Sequence, residues 1–231
     1  MNSKYESVVD SCSKRQKVVD VGEGQGKQQQ GNEQYFAAQP ASTDLRHQLT
    51  VTLAGEPMKV EVSQGVFSSH RLDLGTSVLL RHAPEPEHPG TFLDLGCGWG
   101  PIALHLAKLS PQSTVWALDI NERALDLTRQ NARINGLSAV RAVNADQLPA
   151  DLTFDQIWSN PPIRVGKEAL HQLLMAYLPR LNTGGVAYLV VQRNLGSDSL
   201  IPWLQEHLPA GFEVSKYASS KGYRVIEVTR A

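Results

Sequence analysis

The chain has 231 residues, of which 41% are hydrophobic and 19% are charged. These fractions are typical of a globular protein, and the length allows one domain with a substantial core and a short appendage. The formal net charge of −1 excludes nucleic-acid binding through overall charge, so any such contact must come from a local basic patch.

Cysteine content and hydropathy indicate the compartment in which the protein works. The two cysteines are Cys12, in a polar stretch, and Cys97, within a glycine-rich turn, a placement typical of free thiols in a reducing environment. No apolar run reaches the length of a membrane-spanning helix, and the polar N-terminal residues do not resemble a signal peptide. We therefore expect a cytoplasmic protein with no membrane contact.

The N-terminal segment differs in composition from the rest. Its first 33 residues carry five basic and five acidic side chains, and a Gln- and Gly-rich run extends from residue 22 to residue 31. Such a segment buries too little apolar surface to offset the entropy of ordering it. Residues 1–34 are therefore predicted to be a disordered tail, and residues 35–231 a single domain.

The pattern changes near residue 35 and predicts a short extension over residues 35–90. Residues 47–54 and 58–63 alternate between polar and apolar side chains on either side of a Gly-Glu-Pro turn, which is typical of a β-hairpin. Residues 73–83 have the apolar spacing of a helix. The extension is thus predicted to be a hairpin followed by one helix.

From residue 91 onward, strands and helices alternate. The predicted strands are 91–95, 114–119, 140–144, 154–158, 184–192, 212–217 and 223–228, and the predicted helices are 100–110, 121–135, 167–181 and 197–207. This alternation requires a mainly parallel sheet covered by helices, with an antiparallel strand at the C-terminal end. The predicted fold is α/β, with a Rossmann-like seven-stranded sheet formed by residues 91–231.

The turn after the first of these strands reads DLGCGWG, residues 94–100. Glycines at such a turn allow a tight backbone and close approach of a ligand beside a helix N-terminus. The same spacing occurs at residues 20–26 (DVGEGQG), but the residues that follow, KQQQG, offer no apolar helical face. We interpret the early copy as coincidence and the second as a nucleotide-binding loop.

Acidic residues after the next two strands complete a candidate cofactor site. Asp119 ends the second strand, where a carboxylate can accept hydrogen bonds from both hydroxyls of a ribose. That arrangement fits a nicotinamide or flavin enzyme as well as a methyltransferase. The glycine spacing and Asp94 favour the methyltransferase, because a carboxylate there repels a pyrophosphate but suits the cationic amino group of a methionine moiety. Asp146, after the third strand, is placed to accept from an adenine amino group.

The sequence SNPPI, residues 159–163, follows the fourth strand and carries the most specific chemical signal. Two consecutive prolines fix φ at about −65° and supply no backbone N–H. We therefore expect the carbonyls of Asn160 and Pro161, with the side-chain oxygen of Asn160, to form a rigid set of acceptors for a planar NH2 group. The alternative is a simple strand-ending turn, for which Asn and Pro are ordinary residues.

Together these motifs resemble those of class I S-adenosylmethionine-dependent methyltransferases, and more narrowly those of the RsmC-like methyltransferase small domain family, which modifies guanine N2 in small-subunit ribosomal RNA. The narrower resemblance also rests on GVFS at 65–68 and LDLGTSVLL at 72–80, and on RVGK at 164–167 and KGYRV at 221–225. It spans residues 47–229. The resemblance implies S-adenosylmethionine as the cofactor, and ribosomal RNA or the small ribosomal subunit as the partner.

The resemblance also implies roles for individual residues. The methyl acceptor would be held by Asn160, Pro161 and Pro162. The cofactor would contact Thr76, Asp94, Gly96, Cys97, Gly98, Gly100, Asp119, Ile120, Asn121, Ala145, Asp146 and Asn160. Substrate contacts would come from Phe67, Ile163, Arg164, Lys167 and Arg193. No metal is expected, because the seven histidines lack metal-ligand spacing.

The chain departs from the family pattern in two ways. Larger members carry a second, degenerate methyltransferase-like domain in front, for which we expect no room here. Many Asn-Pro-Pro enzymes place an aromatic residue next, which stacks on the target base, whereas this chain has Ile163. Stacking would then come from elsewhere, with Phe67 as one candidate.

Other functions fit the same residues. DNA adenine and a protein glutamine amide are alternative acceptors, since Asn-Pro-Pro suits any planar NH2 group. A non-catalytic methyltransferase-like module that binds RNA through a basic edge is the alternative from a different class. The expected assembly is a monomer or a weak dimer.

Overall fold

The computed structural model describes residues 42–231. The predicted tail, Cys12 and the early glycine string lie outside the described residues. The strands are β1 (Arg46–Leu53), β2 (Glu56–Ser63), β3 (Thr91–Leu95), β4 (Thr114–Leu118), β5 (Val140–Val143), β6 (Phe154–Ser159), β7 (Leu181–Gln192), β8 (Phe212–Ser220) and β9 (Tyr223–Arg230). The helices are α1 (Leu74–His82), α2 (Pro101–Leu109), α3 (Glu122–Ile134), α4 (Lys167–Tyr177) and α5 (Ser197–His207).

Seven of the described strands form one sheet in the order β5-β4-β3-β6-β7-β9-β8. Strands β3 to β7 pair in parallel, whereas β9 lies antiparallel between β7 and β8. The predicted seven-stranded Rossmann-like fold with an antiparallel C-terminal strand is confirmed, and β1 and β2 form the predicted hairpin. Because the strand order changes direction between β3 and β6, the carboxyl ends of these two strands border the crevice where such sheets bind ligands.

Helices cover both faces of the sheet. On one face lie α4 and α5, which contribute Leu174 and Leu204 to the core. On the other lie α1, α2 and α3, which contribute Leu79, Leu106 and Leu125. All five side chains are fully buried, and each such leucine stabilises the fold by about 1.5–3 kcal/mol. The sheet is therefore a firm support for the loops at its carboxyl edge.

The hairpin is anchored through its β2 edge. Asn131 on α3 accepts from the Glu61 N–H at 2.6 Å and donates to the Glu61 carbonyl at 2.9 Å, and Asn135 donates to the Lys59 carbonyl at 2.9 Å. These amides bond three backbone groups that a neighbouring strand would otherwise pair with, and so cover part of this edge.

A histidine fixes the turn of the hairpin to α2. Nδ1 of His105 accepts from the Ala54 N–H at 3.0 Å. Burial lowers the pKa of His105 to about 4, so the ring is neutral at physiological pH and keeps the lone pair that this hydrogen bond needs. The hairpin is thus held at its edge and at its turn, and the chain that leaves β2 is directed to the carboxyl edge of the main sheet.

The end of α4 differs from the prediction. The sequence pattern predicted a helix over 167–181, but α4 ends at Tyr177 and a 3-10 turn follows over Leu178–Arg180. Pro179 explains the difference, because proline lacks the backbone N–H that a continuing α-helix requires. Strand β7 consequently starts at Leu181, three residues before the predicted start at residue 184.

Candidate active site

The carboxyl ends of β3 and β6 border a small cavity. The glycine loop after β3 and Asn160 after β6 both line it. Phe67, Asp73 and Thr76 reach the same cavity from the segment and helix that follow the hairpin. The two motifs singled out in the sequence therefore meet in one place.

The glycine loop adopts a backbone that side chains disfavour. Gly96 has a φ of 80° and Gly100 a φ of 94°. A Cβ at Gly100 would lie 2.9 Å from the side chain of Thr128 on α3, whereas a Cβ at Gly96 would meet nothing within 4 Å. Gly100 therefore allows the loop to approach α3 closely, and Gly96 leaves the loop open beside the cavity.

Hydrogen bonds fix the loop to the end of β4. The N–H groups of Gly96 and Cys97 both donate to the carbonyl of Leu118, at 2.8 and 2.9 Å. The Gly98 N–H donates to Oδ2 of Asp119 at 2.9 Å. The loop is therefore ordered by the protein's own contacts, and a ligand need not supply the free energy to order it.

Asp94 precedes the loop and is fully buried. Its Oδ2 accepts from the Ala103 N–H at 2.9 Å, while its Oδ1, among the described residues, is buried with no hydrogen-bond partner. Burial, with the nearby charge of Asp119, raises the pKa of Asp94 to about 8. An ammonium group supplies both the missing donor and the positive charge that this oxygen lacks, so the residue fits the methionine end of S-adenosylmethionine.

Asp119 follows β4 and is partly exposed. Its Oδ1 accepts from the Asn121 N–H and its Oδ2 from the Gly98 N–H, both at 2.9 Å. Burial raises the pKa of Asp119, and its backbone hydrogen bonds act in the opposite direction. Each oxygen keeps a second lone pair, so the carboxylate fits the two hydroxyls of a ribose.

Two neighbouring features suit an adenine ring. Ile120 presents 53% of its surface to solvent, which provides an apolar contact directly after Asp119. Ala145 and Asp146 are exposed on the 3-10 turn Ala145–Gln147. The Asn144 side chain caps that turn and thereby fixes the backbone that carries Asp146. An adenine could pack on Ile120 and donate its amino group to Asp146.

Two predicted cofactor residues direct their side chains elsewhere. Cys97 Sγ is buried 3.6 Å from Thr128 Oγ1, and burial raises the pKa of its thiol. The Asn121 side chain caps α3 by accepting from the Arg123 N–H at 3.0 Å and donates to the Gly65 carbonyl at 2.9 Å. Only the backbones of Cys97 and Asn121 remain for cofactor contacts, and the Asn121 side chain instead positions the segment that carries Phe67.

The Asn-Pro-Pro loop contains a tight turn. Ser159 Oγ donates to the Leu95 carbonyl at 2.6 Å and so joins the end of β6 to the end of β3. Ile163 N–H donates to the Pro161 carbonyl at 2.8 Å, and Pro162 between them, at φ −74° and ψ 76°, has the geometry of an inverse γ-turn. The Pro161 carbonyl, expected to be a free acceptor, therefore holds one hydrogen bond and keeps one lone pair.

The Asn160 side chain is held from α1. Its Nδ2 donates to Asp73 Oδ2 at 2.8 Å and to Thr76 Oγ1 at 3.0 Å. No described residue donates to its Oδ1. The buried Thr76, predicted as a cofactor contact, thus bonds Asn160 directly. Asp73 was absent from the predicted site residues. Its position as a helix N-cap three residues before Thr76 could have placed it at the site.

The predicted substrate residues fall into two groups. Phe67 is half-buried and lines the cavity. Ile163 is half-buried and packs against the core, so less of it is available for a base. Lys167 and Arg193 are exposed at the start of α4 and directly after β7, and both therefore lie at the carboxyl edge of the sheet. The backbone of Arg164 belongs to the 3-10 turn Ile163–Val165, directly after the Asn-Pro-Pro loop.

The sheet order, the glycine loop behind a buried carboxylate and the acidic residue after β4 define a class I S-adenosylmethionine-dependent methyltransferase. Comparison with known families agrees, because the model of the methyltransferase small domain matches residues 57–227. The chain belongs to this family, and its cofactor is S-adenosylmethionine.

Curated relatives fall into two kinds. The uncharacterised protein YbxB of Bacillus subtilis is 33% identical over 202 residues, which is 86% of this chain and 99% of YbxB. Ribosomal RNA small subunit methyltransferase C of Acinetobacter baylyi is 37% identical over 152 residues, or 62% of this chain and 44% of that protein. The same enzyme of Pseudomonas putida F1 is 32% identical over 80% of this chain and 55% of its own. The chain thus spans about half the length of these methyltransferase C proteins.

Solved structures share the fold. The 16S rRNA N2 G1207 methyltransferase RsmC of T. thermophilus, in complex with AdoMet and guanosine, has a TM-score of 0.70 at 24% identity, over 83% of this chain and 52% of that one. A ribosomal protein L11 methylase of Lactobacillus delbrueckii has a TM-score of 0.53 at 23% identity, over 62% of this chain and 71% of that one.

Among the described residues, no helix has the length and apolar character to cross a membrane. No group of three metal-ligating side chains was found over residues 42–231.

Proposed function

We propose that this protein transfers the methyl group of S-adenosylmethionine to an exocyclic amino nitrogen, N2 of guanine in small-subunit ribosomal RNA. The observation that carries the proposal is the Asn160 amide. Its nitrogen is held by Asp73 and Thr76 at 2.8 and 3.0 Å, which leaves its oxygen as the free acceptor in a loop that two prolines stiffen. An acceptor so placed suits a substrate that brings an N–H donor.

The glycine loop that lines the cavity and residues at the ends of β3, β4 and β5 divide the cofactor among them. When bound, S-adenosylmethionine supplies a methyl group made electrophilic by its sulfonium. Asp94 pairs with the ammonium of the methionine part, and the glycine loop provides the backbone surface beside it. Asp119 accepts from the ribose hydroxyls, while Ile120 and Asp146 receive the adenine. A cationic ligand is favoured because the buried Asp94 carboxyl needs a positive partner.

Asn160 and Pro161 contact the guanine that accepts the methyl group. The amino group of guanine is a weak nucleophile because its lone pair is delocalised into the ring. Asn160 Oδ1 and the remaining lone pair of the Pro161 carbonyl accept hydrogen bonds from its two N–H groups, which favours a pyramidal nitrogen directed at the methyl group. The nitrogen gains the methyl group while sulfur keeps the electron pair of the broken S–C bond, and the nitrogen then releases one proton to water. Alignment of this kind contributes about 7–11 kcal/mol in well-oriented reactions, and preorganised hydrogen-bonding groups add about 3 kcal/mol each.

The ribosomal RNA part of the proposal draws on the relatives and on the edge of the sheet. Methyltransferase C proteins are named for the ribosomal small subunit, and the Thermus enzyme for N2 of a 16S guanosine. Phe67 offers a ring for stacking a base, a contact of about 1–3 kcal/mol. Arg164, Lys167 and Arg193 supply phosphate contacts. We propose that residues 35–231 do this work as a single domain.

A labelling experiment tests the reaction. The protein is incubated with tritiated S-adenosylmethionine and, separately, with small ribosomal subunits, deproteinised 16S rRNA, DNA and a protein extract. We expect label in an RNA pool and, after nuclease digestion, in N2-methylguanosine. Label in DNA adenine or in a glutamine amide would refute the RNA acceptor, and label in none of the pools would favour a binding module without catalysis.

A pair of variants separates catalysis from cofactor binding. Asn160→Ala should lower kcat by about 100- to 1,000-fold, the loss seen when one preorganised hydrogen-bonding group is removed, with S-adenosylmethionine affinity near that of the wild type. Asp119→Ala should do the converse and weaken affinity by about 10- to 100-fold, since hydrogen bonds to a charged group contribute about 1.5–3 kcal/mol. Calorimetry and single-turnover kinetics measure the two quantities. Lost affinity with normal turnover in Asn160→Ala would contradict the assignment.

A further inference from the structure

The orientation of the Asn160 amide is determined by a residue outside the Asn-Pro-Pro motif. Asp73 Oδ2 lies 2.8 Å from Asn160 Nδ2, and Thr76 Oγ1 lies 3.0 Å from the same atom. A hydroxyl can donate or accept and so is compatible with either flip of an amide. An ionised carboxylate only accepts, so Asp73 requires the NH2 group of Asn160 to face it.

From this contact we infer that Asp73 is a positioning residue that locks the Asn160 amide in the flip that presents Oδ1 to the methyl acceptor. The inference rests on the proposed function, since Oδ1 matters only if it accepts from a substrate N–H. In the opposite flip, the NH2 group of Asn160 would face the N–H of the substrate. Both are donors, so the substrate nitrogen would have no hydrogen-bond acceptor from Asn160.

Asp73 is itself fixed by the helix that it begins. The same Oδ2 accepts from the Thr76 N–H at 3.0 Å as the N-cap of α1. A Cβ at Gly75 would lie 2.9 Å from the Tyr223 ring and 3.0 Å from Asp73 Oδ2, so the first turn of α1 packs tightly against β9 and the carboxylate. One oxygen therefore couples the helix cap to the amide of Asn160.

Two substitutions separate these roles. Asp73→Ser keeps an oxygen that can cap α1, because serine is among the best N-cap residues, but the shorter side chain no longer reaches Asn160. Asp73→Asn keeps the full length and an acceptor oxygen, and is the matched conservative control. Both variants retain the cap, so a difference between them reports on the Asn160 contact.

We expect Asp73→Ser to lower kcat by about 10- to 100-fold, because small misplacements of a reacting group have effects of this size. Its S-adenosylmethionine affinity and unfolding midpoint should stay near those of the wild type. Asp73→Asn should recover most of the lost kcat. Loss of affinity or of thermal stability in Asp73→Ser with kcat unchanged would show a purely structural residue and overturn the inference.

A spectroscopic measurement tests the anchor without turnover. The side-chain 15N–1H pair of Asn160 is assigned in the full-length protein by its disappearance in Asn160→Ala. In the wild type this pair should exchange slowly with solvent, since it is bonded to a carboxylate. Asp73→Ser should shift it and speed its exchange, and Asp73→Asn should restore slow exchange. An unchanged resonance in Asp73→Ser would overturn the inference, whereas absence of transfer by the wild type would refute the proposed function alone.

Discussion

The carboxyl groups of Asp94, Asp119 and Asp73 differ in how many hydrogen bonds their oxygens accept, and this difference determines what each can bind. Asp94 has one buried oxygen without a partner among the described residues. Asp119 has one backbone donor on each oxygen. Oδ2 of Asp73 already accepts twice. Asp94 therefore requires a cation, and Asp119 can accept hydrogen bonds from a diol. Asp73 already bonds protein groups.

We predict that affinity for S-adenosylmethionine rises with pH from about pH 6 to about pH 8. Burial raises the pKa of Asp94 to about 8, so below that pH the free carboxyl is mostly protonated and must lose its proton before it pairs with an ammonium. Each unit below the pKa should weaken binding by up to about tenfold. Calorimetric titrations at several pH values measure the trend.

The control for this prediction is Asp94→Asn, which cannot ionise and should show weak binding with a much flatter pH profile. Repeating the titrations in buffers of different ionisation enthalpy would detect the released proton directly. Wild-type affinity that stays constant from pH 6 to pH 8, with no proton release, would contradict the assigned role of Asp94.

At the scale of the elements, the ends of helices and the contacts of strand edges were harder to predict than the short buried strands. Strand β3 starts and ends where the apolar run predicted, because a short buried strand has clear polar limits. The end of α4 was missed because the apolar spacing continued past Pro179. The capping of β2 by Asn131 was not predictable, since nothing local to either residue specifies a contact across 70 positions.

We predict that the hairpin anchor makes stability fall in mild acid. Burial lowers the pKa of His105 to about 4, below the unfolded value of about 6.5. The free energy of unfolding therefore keeps its full value above pH 6.5 and decreases as the pH falls toward 4, by a total on the order of 3 kcal/mol. Denaturant unfolding at pH 7 and pH 4.5 measures it. In His105→Gln, which keeps an acceptor but does not titrate, the fall should be smaller by about this amount.

We predict that Gly100→Ala lowers both stability and cofactor affinity. The residue has a φ of 94°, and the added Cβ would lie 2.9 Å from Thr128, so the strain should exceed the 1–3 kcal/mol or so of an unfavourable backbone alone. Gly184→Ala is the matched control, because its φ is 78° and its Cβ would meet nothing within 4 Å. Equal effects of the two substitutions on the unfolding free energy would disprove the close approach.

At the scale of the whole molecule, the alternation of strands and helices was enough to predict the sheet, because parallel strands with helical connections allow few topologies. Because the glycine loop and the Asn-Pro-Pro loop both follow parallel strands of that sheet, they lie at one edge of it. The resemblance implied a cofactor contact for Thr76 of α1, but nothing in the sequence predicted that Asp73 and Thr76 hold the Asn160 amide. Asp73 and Asn160 are 87 residues apart, and only the folded hairpin directs α1 toward that edge.

We predict that RNA affinity depends on salt through cations at the carboxyl edge. With a net charge of −1, the chain has no general attraction for phosphate, so contacts such as Lys167 and Arg193 should account for much of the salt dependence. Removing both should reduce the slope of log K against log salt by about 1.4, at about 0.7 per contact with single-stranded RNA. Filter binding over a range of salt concentrations measures the slope.

The control for the salt prediction is Lys108→Ala. Lys108 pairs with Glu56 at 2.8 Å at the end of α2, away from the carboxyl edge of the sheet, and its loss should leave the slope unchanged. A double variant of Lys167 and Arg193 that binds RNA with the wild-type slope would show that other residues contact the phosphates.

Because Cys97 is buried against Thr128, the reactivity of its thiol reports local opening of the glycine loop. A thiol-alkylating reagent can reach the sulfur only during local opening, so the modification rate counts those openings. Occupancy of the neighbouring cavity should suppress them, which would allow ligand engagement to be followed by peptide mass spectrometry without an added fluorophore.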